Sequence, residues 1–348
     1  MISGENTTTF AARDVGVPYR VSAVEPAQWD ALVQAFPDRT VFHGLAWLRS
    51  VAQAESLELI LRKVESDGRC LAIWPWLEVR KGPLRVLGSP LPGWSTVYLG
   101  PLFDRQANVA DCVRAFCEDP RLRTAAYSYC KVLDPGREVD LGPAGFEVRS
   151  GYRTYLLSLE RSEAELWSNL EGNCRTKIRK GLKQGLEVRR ETDSDFIEDF
   201  WTMSLEVFGR SGIRPTFSRR LLELVVGNLM AEDRLLVLSA FWEGRRIATL
   251  VHPHDDQTLY NWQGTSFGEY RWLSPNNLLQ WEAILAARRM GLRRFDFVSV
   301  YGGPGEFKKS FGGTATTTAT HWERYRWPVV RVLKQTYEYY LRRRQRAR

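Results

Sequence analysis

The chain has 348 residues, with a hydrophobic content of 44%, a charged content of 26% and a formal net charge of +8. This is room for two domains of ordinary globular composition, and no apolar run approaches the length of a membrane span. Five cysteines (Cys70, Cys112, Cys117, Cys130, Cys174) without a CxxC pair exclude a disulfide scaffold and a cysteine zinc site.

Taken in order, Met1 to Gly16 is polar, with no basic and apolar leader pattern, and is expected as a flexible N-terminus of a cytoplasmic protein. Val17–Val24 reads as a strand, and Pro26–Ala35 and Leu45–Ala54 read as helices. Leu57–Val64 and Cys70–Val79 alternate like strands joined at Ser66-Asp67-Gly68. A Gly- and Pro-rich loop is expected over Gly82–Pro101, a helix over Val109–Glu118 and a strand over Thr124–Leu133. The composition then changes to DPGREVDLGPAG at Asp134–Gly145, which divides the chain into 17–145, 146–325 and a basic final helix, 326–348.

Beyond that boundary Tyr152–Leu159 reads as a strand, and Ser162 with Glu165 forms a capping box that opens a helix. Asp195–Phe208 and Phe217–Met230 read as helices, and Leu235–Phe241 and Arg246–Val251 as a hairpin around Glu243-Gly244. Thr258–Gly264 is a further strand, Ser274-Pro275 starts a helix that stops near Gly291, and Phe295–Val298 is a strand. A glycine-rich turn over Gly302–Gly313, a strand over Thr314–Arg324 and a helix over Val329–Arg346 complete the chain. The element order of the second half repeats that of the first more loosely, so two related α/β halves are expected.

Between the capping box and Asp195 lies NCRTKIRKGLKQGLEVRR. Asn173 suits an N-cap and Gly185 a stop, which predicts a helix over Cys174–Gln184. At helical spacing Cys174, Ile178 and Leu182 share one face; Arg175, Arg179 and Lys183 form a ridge, with Lys177 and Lys180 further round. Such a run is either a solvated face or a site for a polyanion, and charge alone leaves both open.

This element order resembles the GNAT acyltransferase fold, and its twofold repetition resembles the Fem-type branch, within the broad set that includes CelD-like acetyltransferases. Three segments carry the resemblance: RTKIRKGLKQGLEV, the run LYNWQGTSFGEY…SPNNLLQWEAILAARRMGLRRFDF over Leu259–Phe297, and GEFKKSFGG over Gly305–Gly313. The resemblance implies an α/β (α+β) fold of two tandem GNAT-like halves, with the C-terminal helix returning to the first. It implies acyl transfer to an amine of a small molecule, peptide or peptidoglycan precursor, from acyl-CoA or aminoacyl-tRNA as co-substrate and with no other cofactor. An anionic or lipid-linked acceptor would suit the charge. The loop Thr265–Leu273, with Gly268 as its only glycine, departs from the glycine-rich loop that holds the pyrophosphate of acetyl-CoA. That departure moves the expectation toward a tRNA-linked donor.

By the same resemblance Lys308, beside Phe307 in the FK…FGG segment, steadies the donor's phosphate or the developing oxyanion. Asp296, flanked by Phe295 and Phe297, is a carboxylate at a strand end, placed either to accept the amine proton or to cap the next turn. Arg175, Lys177, Arg179 and Lys183 are expected to meet an anionic substrate. Tyr260 and Trp262, with Tyr270 and Trp272, line a groove or pack in a core, and Glu269 and Glu306 are lesser loop candidates. The cluster His252-Pro253-His254-Asp255-Asp256 reads as a turn, not a metal site, and no GxSxG nucleophile motif appears. Two non-catalytic alternatives stand beside this reading: nucleic-acid binding, against which the lack of aromatics interleaved with the basic residues speaks, and anionic-membrane binding through the Tyr-rich, LRRRQRAR-ending final helix.

Overall fold

The computed structural model describes residues 8–11, 18–93, 95–133, 139–210, 212–300 and 303–346. The chain forms two compact units, 1–151 with 319–348, and 152–318.

Unit 1 begins with β1 (Thr8–Ala11), in the stretch expected to be unstructured, which pairs with β2 (Pro18–Ala23). Helices α1 (Pro26–Gln34) and α2 (Leu45–Ala54) follow, then β3 (Glu58–Ser66) and β4 (Arg69–Lys81). The β3–β4 turn places Asp67 and Gly68 at φ of 50° and 71°, the left-handed pair that a tight hairpin needs. β5 (Leu84–Ser89) occupies part of the expected Gly/Pro loop, because turn signals on both sides masked a short strand. Then come β6 (Leu102–Phe103), α3 (Val109–Glu118), α4 (Pro120–Thr124) and β7 (Tyr127–Leu133). The strands run β1-β2-β3-β4-β5-β7, antiparallel except for the parallel β5–β7 pair. Trp74 and Trp76 of β4 are fully buried, and Trp74 meets Phe116 of α3 edge-on at 5.3 Å. Part of the predicted boundary, residues 134–138, lies outside the described residues.

Unit 2 is built from β8 (Glu147–Ser158) from Tyr152 onward, α5 (Glu163–Asn169), α6 (Gly172–Lys183), β9 (Glu187–Arg190), α7 (Phe196–Gly209), α8 (Arg219–Ala231), β10 (Leu235–Trp242) and β11 (Arg245–Pro253). It continues through β12 (Thr258–Tyr260), β13 (Gln263–Ser266), α9 (Pro275–Arg289), β14 (Arg294–Asp296) and α10 (Gly303–Lys309). The capping box forms as expected, with Ser162 Oγ accepting from Glu165 N–H and the Glu165 carboxylate accepting from Ser162 N–H. The strand expected over Thr258–Gly264 is in fact two. β12 runs parallel to β14, whereas β13 pairs antiparallel with β11, so the chain changes partners between Tyr260 and Gln263. Apolar side chains from β8, β14, α5, α6 and α9 form one core.

The chain closes with β15 (Thr314–Tyr325), whose Ala319–Tyr325 pairs with β7 in unit 1, and α11 (Pro328–Arg346), whose Val330 packs on Ala126, Tyr127 and Tyr129. The final helix thus returns to the first unit, as the resemblance implies.

Candidate active site

The end of β14 is where unit 2 concentrates buried polar groups. Asp296, 3% exposed, pairs with Tyr260 on one side and Leu156 on the other. Its Oδ1 accepts from Thr154 Oγ1 at 2.6 Å and from Val298 N–H at 2.7 Å. Its backbone carbonyl accepts from Asn261 N–H, at the point where the neighbouring strand changes sheets. Val298 has φ of 56°, a conformation that a β-branched side chain strongly disfavours. Asp296 and the Tyr152 hydroxyl, which donates to the Val298 carbonyl, hold it there from both ends. The side chain of Asp296 therefore has the turn-capping position that the sequence offered beside the proton-accepting one.

Lys308 reaches the same place from α10. Its Nζ donates to the Phe297 carbonyl at 2.7 Å. Burial lowers its pKa to about 8, partly opposed by the Asp296 carboxylate. α10 replaces the expected glycine-rich turn, but the glycines explain its position. A Cβ on Gly305 would lie 2.4 Å from the Val300 carbonyl oxygen, and one on Gly312, at φ 80°, would lie 2.7 Å from that of Asn169. Phe307 and Phe311 meet edge-on at 5.2 Å and anchor the helix in the core. Lys309 points elsewhere, pairing with Glu306.

The basic helix differs from expectation in its frame. α6 starts at Gly172 with Glu171 as N-cap, without a side-chain cap bond, so Asn173 is not the cap. The Glu171 N–H bonds the Ser310 carbonyl, which joins the helix start to the end of α10. The buried face is Cys174, Ile178 and Gly181; Leu182 is 56% exposed, because the close approach to the Leu273 carbonyl is made at Gly181. Arg175 turns back and donates to the carbonyls of Ser168 and Leu170, the open end of α5. Arg179 stacks on Trp167 at 5.3 Å and Lys180 on Trp272 at 5.9 Å, so aromatics do accompany the basic residues in space. Lys177 and Lys183 are exposed, with no acidic partner among the described residues. Burial raises the Cys174 pKa, which leaves the thiol protonated and a poor nucleophile.

The other candidates are spread over the unit. Tyr260 donates to Asp255 Oδ2 at 2.7 Å, and Trp262 lies against Phe217 at 6.2 Å; the break between β12 and β13 takes them out of simple strand alternation. Glu269 pairs with Arg245 at 3.1 Å. Asp255 accepts from Gln257, Thr258 and Tyr260 and so organises a turn, but the histidines expected in that turn lie elsewhere: His252 is in β11 and His254 bridges to Leu259, because the hairpin strand runs on to Pro253. In the turn before α9 the Gly268 N–H is bound by Glu206 Oε1 at 2.9 Å, itself 3.3 Å from Arg210. Sequence reasoning missed Thr154, Val298 and Glu206, since nothing local to them announces their partners.

Residues 168–309 match the family described as acetyltransferase (GNAT) domain. No curated protein matches the chain. Among solved structures, that of FemX shares 15% identity, covering 88% of this chain and 97% of its own, at a TM-score of 0.71. A tandem GNAT protein from the clavulanic acid biosynthesis pathway shares 13%, covering 93% and 99%, at 0.55. The C-terminal domain of a protein assigned as a lysylphosphatidylglycerol synthetase from Agrobacterium fabrum shares 12%, covering 89% and 96%, at 0.58. Residues 168–309, within the second unit, are thus similar to a GNAT domain, and the chain shares the fold of FemX and of the tandem GNAT protein.

Proposed function

We propose that unit 2 transfers an aminoacyl or acyl group from a carrier to an amine, with aminoacyl-tRNA favoured over acyl-CoA as donor. The observation that carries this reading is Lys308: a half-buried amine fixed by one carbonyl, beside a carboxylate and a strained turn, at a fork between strands. Acyl transfer needs a donor of positive charge where the carbonyl oxygen becomes an oxyanion. Below pH 8 Lys308 is an ammonium and supplies it. The attacking amine forms the C–N bond, the ester C–O bond to tRNA breaks (a C–S bond where the carrier is CoA), and the amine's proton goes to the departing oxygen or sulfur. Asp296 positions Lys308 and the Val298 turn. Phe307 anchors the lysine, and the exposed cations of α6 would meet phosphates of the donor or acceptor.

The donor preference rests on Glu206. A diphosphate held by the turn before α9 needs free N–H groups there. Gly268 gives its N–H to the Glu206 carboxylate instead, which leaves that donor occupied. FemX and the lysylphosphatidylglycerol synthetase share the fold, and the second name joins an amino acid to a lipid, which supports a lipid-linked acceptor without selecting one. The test is a donor screen: purified protein with acetyl-CoA, longer acyl-CoAs and charged tRNA, and mass spectrometry of acceptor mixtures. Transfer from tRNA that is lost in Lys308→Ala is the expected result. Efficient transfer from an acyl-CoA with none from tRNA would reverse the donor order.

A further inference from the structure

We propose that α11 is an interfacial helix that lies on an anionic lipid surface. Its inner face is fixed to unit 1. Val330 is buried against Leu91, Ala126 and Tyr129, and Lys334 Nζ bonds Glu323 Oε1 at 2.7 Å. Glu323 is itself held by the Tyr127 and Tyr325 hydroxyls and by Arg149 at 3.1 Å, and Arg331 pairs with Glu147. These contacts decide which residues face outward.

An apolar stripe lies among the outward residues. Val329, Val332 and Leu333, at i, i+3 and i+4, are 59%, 58% and 55% exposed, with Thr336 next on the same stripe. Trp327 lies just before the helix, 44% exposed with the Arg326 guanidinium 4.7 Å over its ring, and Tyr339 is 66% exposed. A surface helix in water ordinarily turns charged groups outward, and a contiguous apolar stripe rimmed by polar groups marks a contact.

Charge selects the partner. Residues 324–348 hold nine basic side chains and one acidic one, Glu338, a net of +8. The whole chain is +8, so residues 1–323 are neutral. A second copy would cover the stripe while bringing two such segments together. A nucleic acid would neutralise the arginines and leave Val329, Val332 and Leu333 in water. A bilayer bearing anionic headgroups takes both, with the apolar stripe at the acyl boundary, Trp327 and Tyr339 at headgroup level and the arginines among the phosphates.

The experiment uses the full chain and vesicles of phosphatidylcholine alone or mixed in equal parts with phosphatidylglycerol, followed by sedimentation. The protein is expected to sediment with the mixed vesicles only. Leu333→Glu, a change at an exposed position that leaves the melting temperature intact, weakens partition by roughly tenfold or more. Replacing Arg342, Arg343 and Arg344 together by Gln weakens it by roughly a hundredfold. Failure of the parent protein to bind mixed vesicles, or undiminished binding by Leu333→Glu, would overturn the proposal. So would a lipid-free dimer that Leu333→Glu abolishes, which assigns the stripe to a second copy, or RNA binding in place of vesicle binding. No acyl donor is present in the assay, so its outcome is independent of the acyl-transfer reading.

Discussion

At the end of β14 unit 2 half-buries one lysine, Lys308, while along α6 it leaves a series of cations near or in water. Lys308 has lost part of its hydration and gives its ammonium to the Phe297 carbonyl, so its charge costs more and its field is less screened than those of α6. On α6 the charges are more numerous and each counts for less. Arg175 is spent on the open carbonyls of α5, Arg179 on the Trp167 ring, and Lys177 and Lys183 are exposed to solvent and salt. The number of charges in a sequence is therefore a poor guide to where the chemistry sits; desolvation separates a reacting group from a binding one.

The widest gap between the two regions should appear in turnover. Lys308→Ala is expected to lower kcat by roughly two to three powers of ten, the effect of losing one oxyanion donor, with little change in KM. Lys308→Arg keeps the charge but widens the group, and should recover only part of the loss. A parental kcat for Lys308→Ala in a steady-state assay would erase the distinction between this lysine and those of α6.

The second prediction is a pH dependence with opposite signs for activity and stability. With the Lys308 pKa near 8, kcat should fall about tenfold per pH unit above 8 as the ammonium is lost. Stability should move the other way. Between about 8 and the ordinary lysine value of 10.5 the unfolded chain holds a proton that the folded chain has released, so Lys308 contributes a rise in stability across that window. Comparing the parent with Lys308→Met in denaturant melts from pH 7 to 10 isolates this contribution. A parallel pH dependence of the two proteins would show that Lys308 does not titrate in that range.

How much of this was legible in the sequence differs between the same two regions. The FK…FGG segment and the basic run were visible as strings, and the capping box at Ser162 and the hairpin at Glu243-Gly244 follow from local chemistry alone. What local chemistry does not encode is the partner. The Phe297 carbonyl under Lys308, the Val298 turn and the Glu206 carboxylate on Gly268 all join residues brought together only by the packed unit. The same limit placed Leu182 on the buried face, where the approach of Leu273 selects Gly181 instead. β5 was hidden because its flanking glycines and prolines dominate a short strand.

The third prediction concerns Arg175, which the sequence groups with the substrate-binding cations and the structure ties to Ser168 and Leu170. Arg175→Ala leaves two carbonyls at the end of α5 without their charged donor, and should destabilise the chain by roughly 1–3 kcal/mol. Thermal melts should register this, together with a KM change no larger than that of its exposed neighbours. A parental melt with a sharply raised KM would return Arg175 to the substrate.

Lys177 and Lys183 should give the smallest effect and the cleanest test of what α6 does. Both are exposed and without an acidic partner among the described residues, so removing either leaves no buried group unpaired and the fold should not register the change. An exposed ammonium that meets a phosphate acts through a screened attraction, worth well under the energy of the half-buried lysine and sensitive to ionic strength. Each single Lys→Ala change should therefore raise KM by only a few-fold, with kcat unchanged, and Lys177→Ala with Lys183→Ala together should flatten the salt dependence of KM. If KM and its salt dependence keep their parental values in the double variant, these lysines form a solvated face, and the anionic part of the substrate meets the protein elsewhere than along this helix.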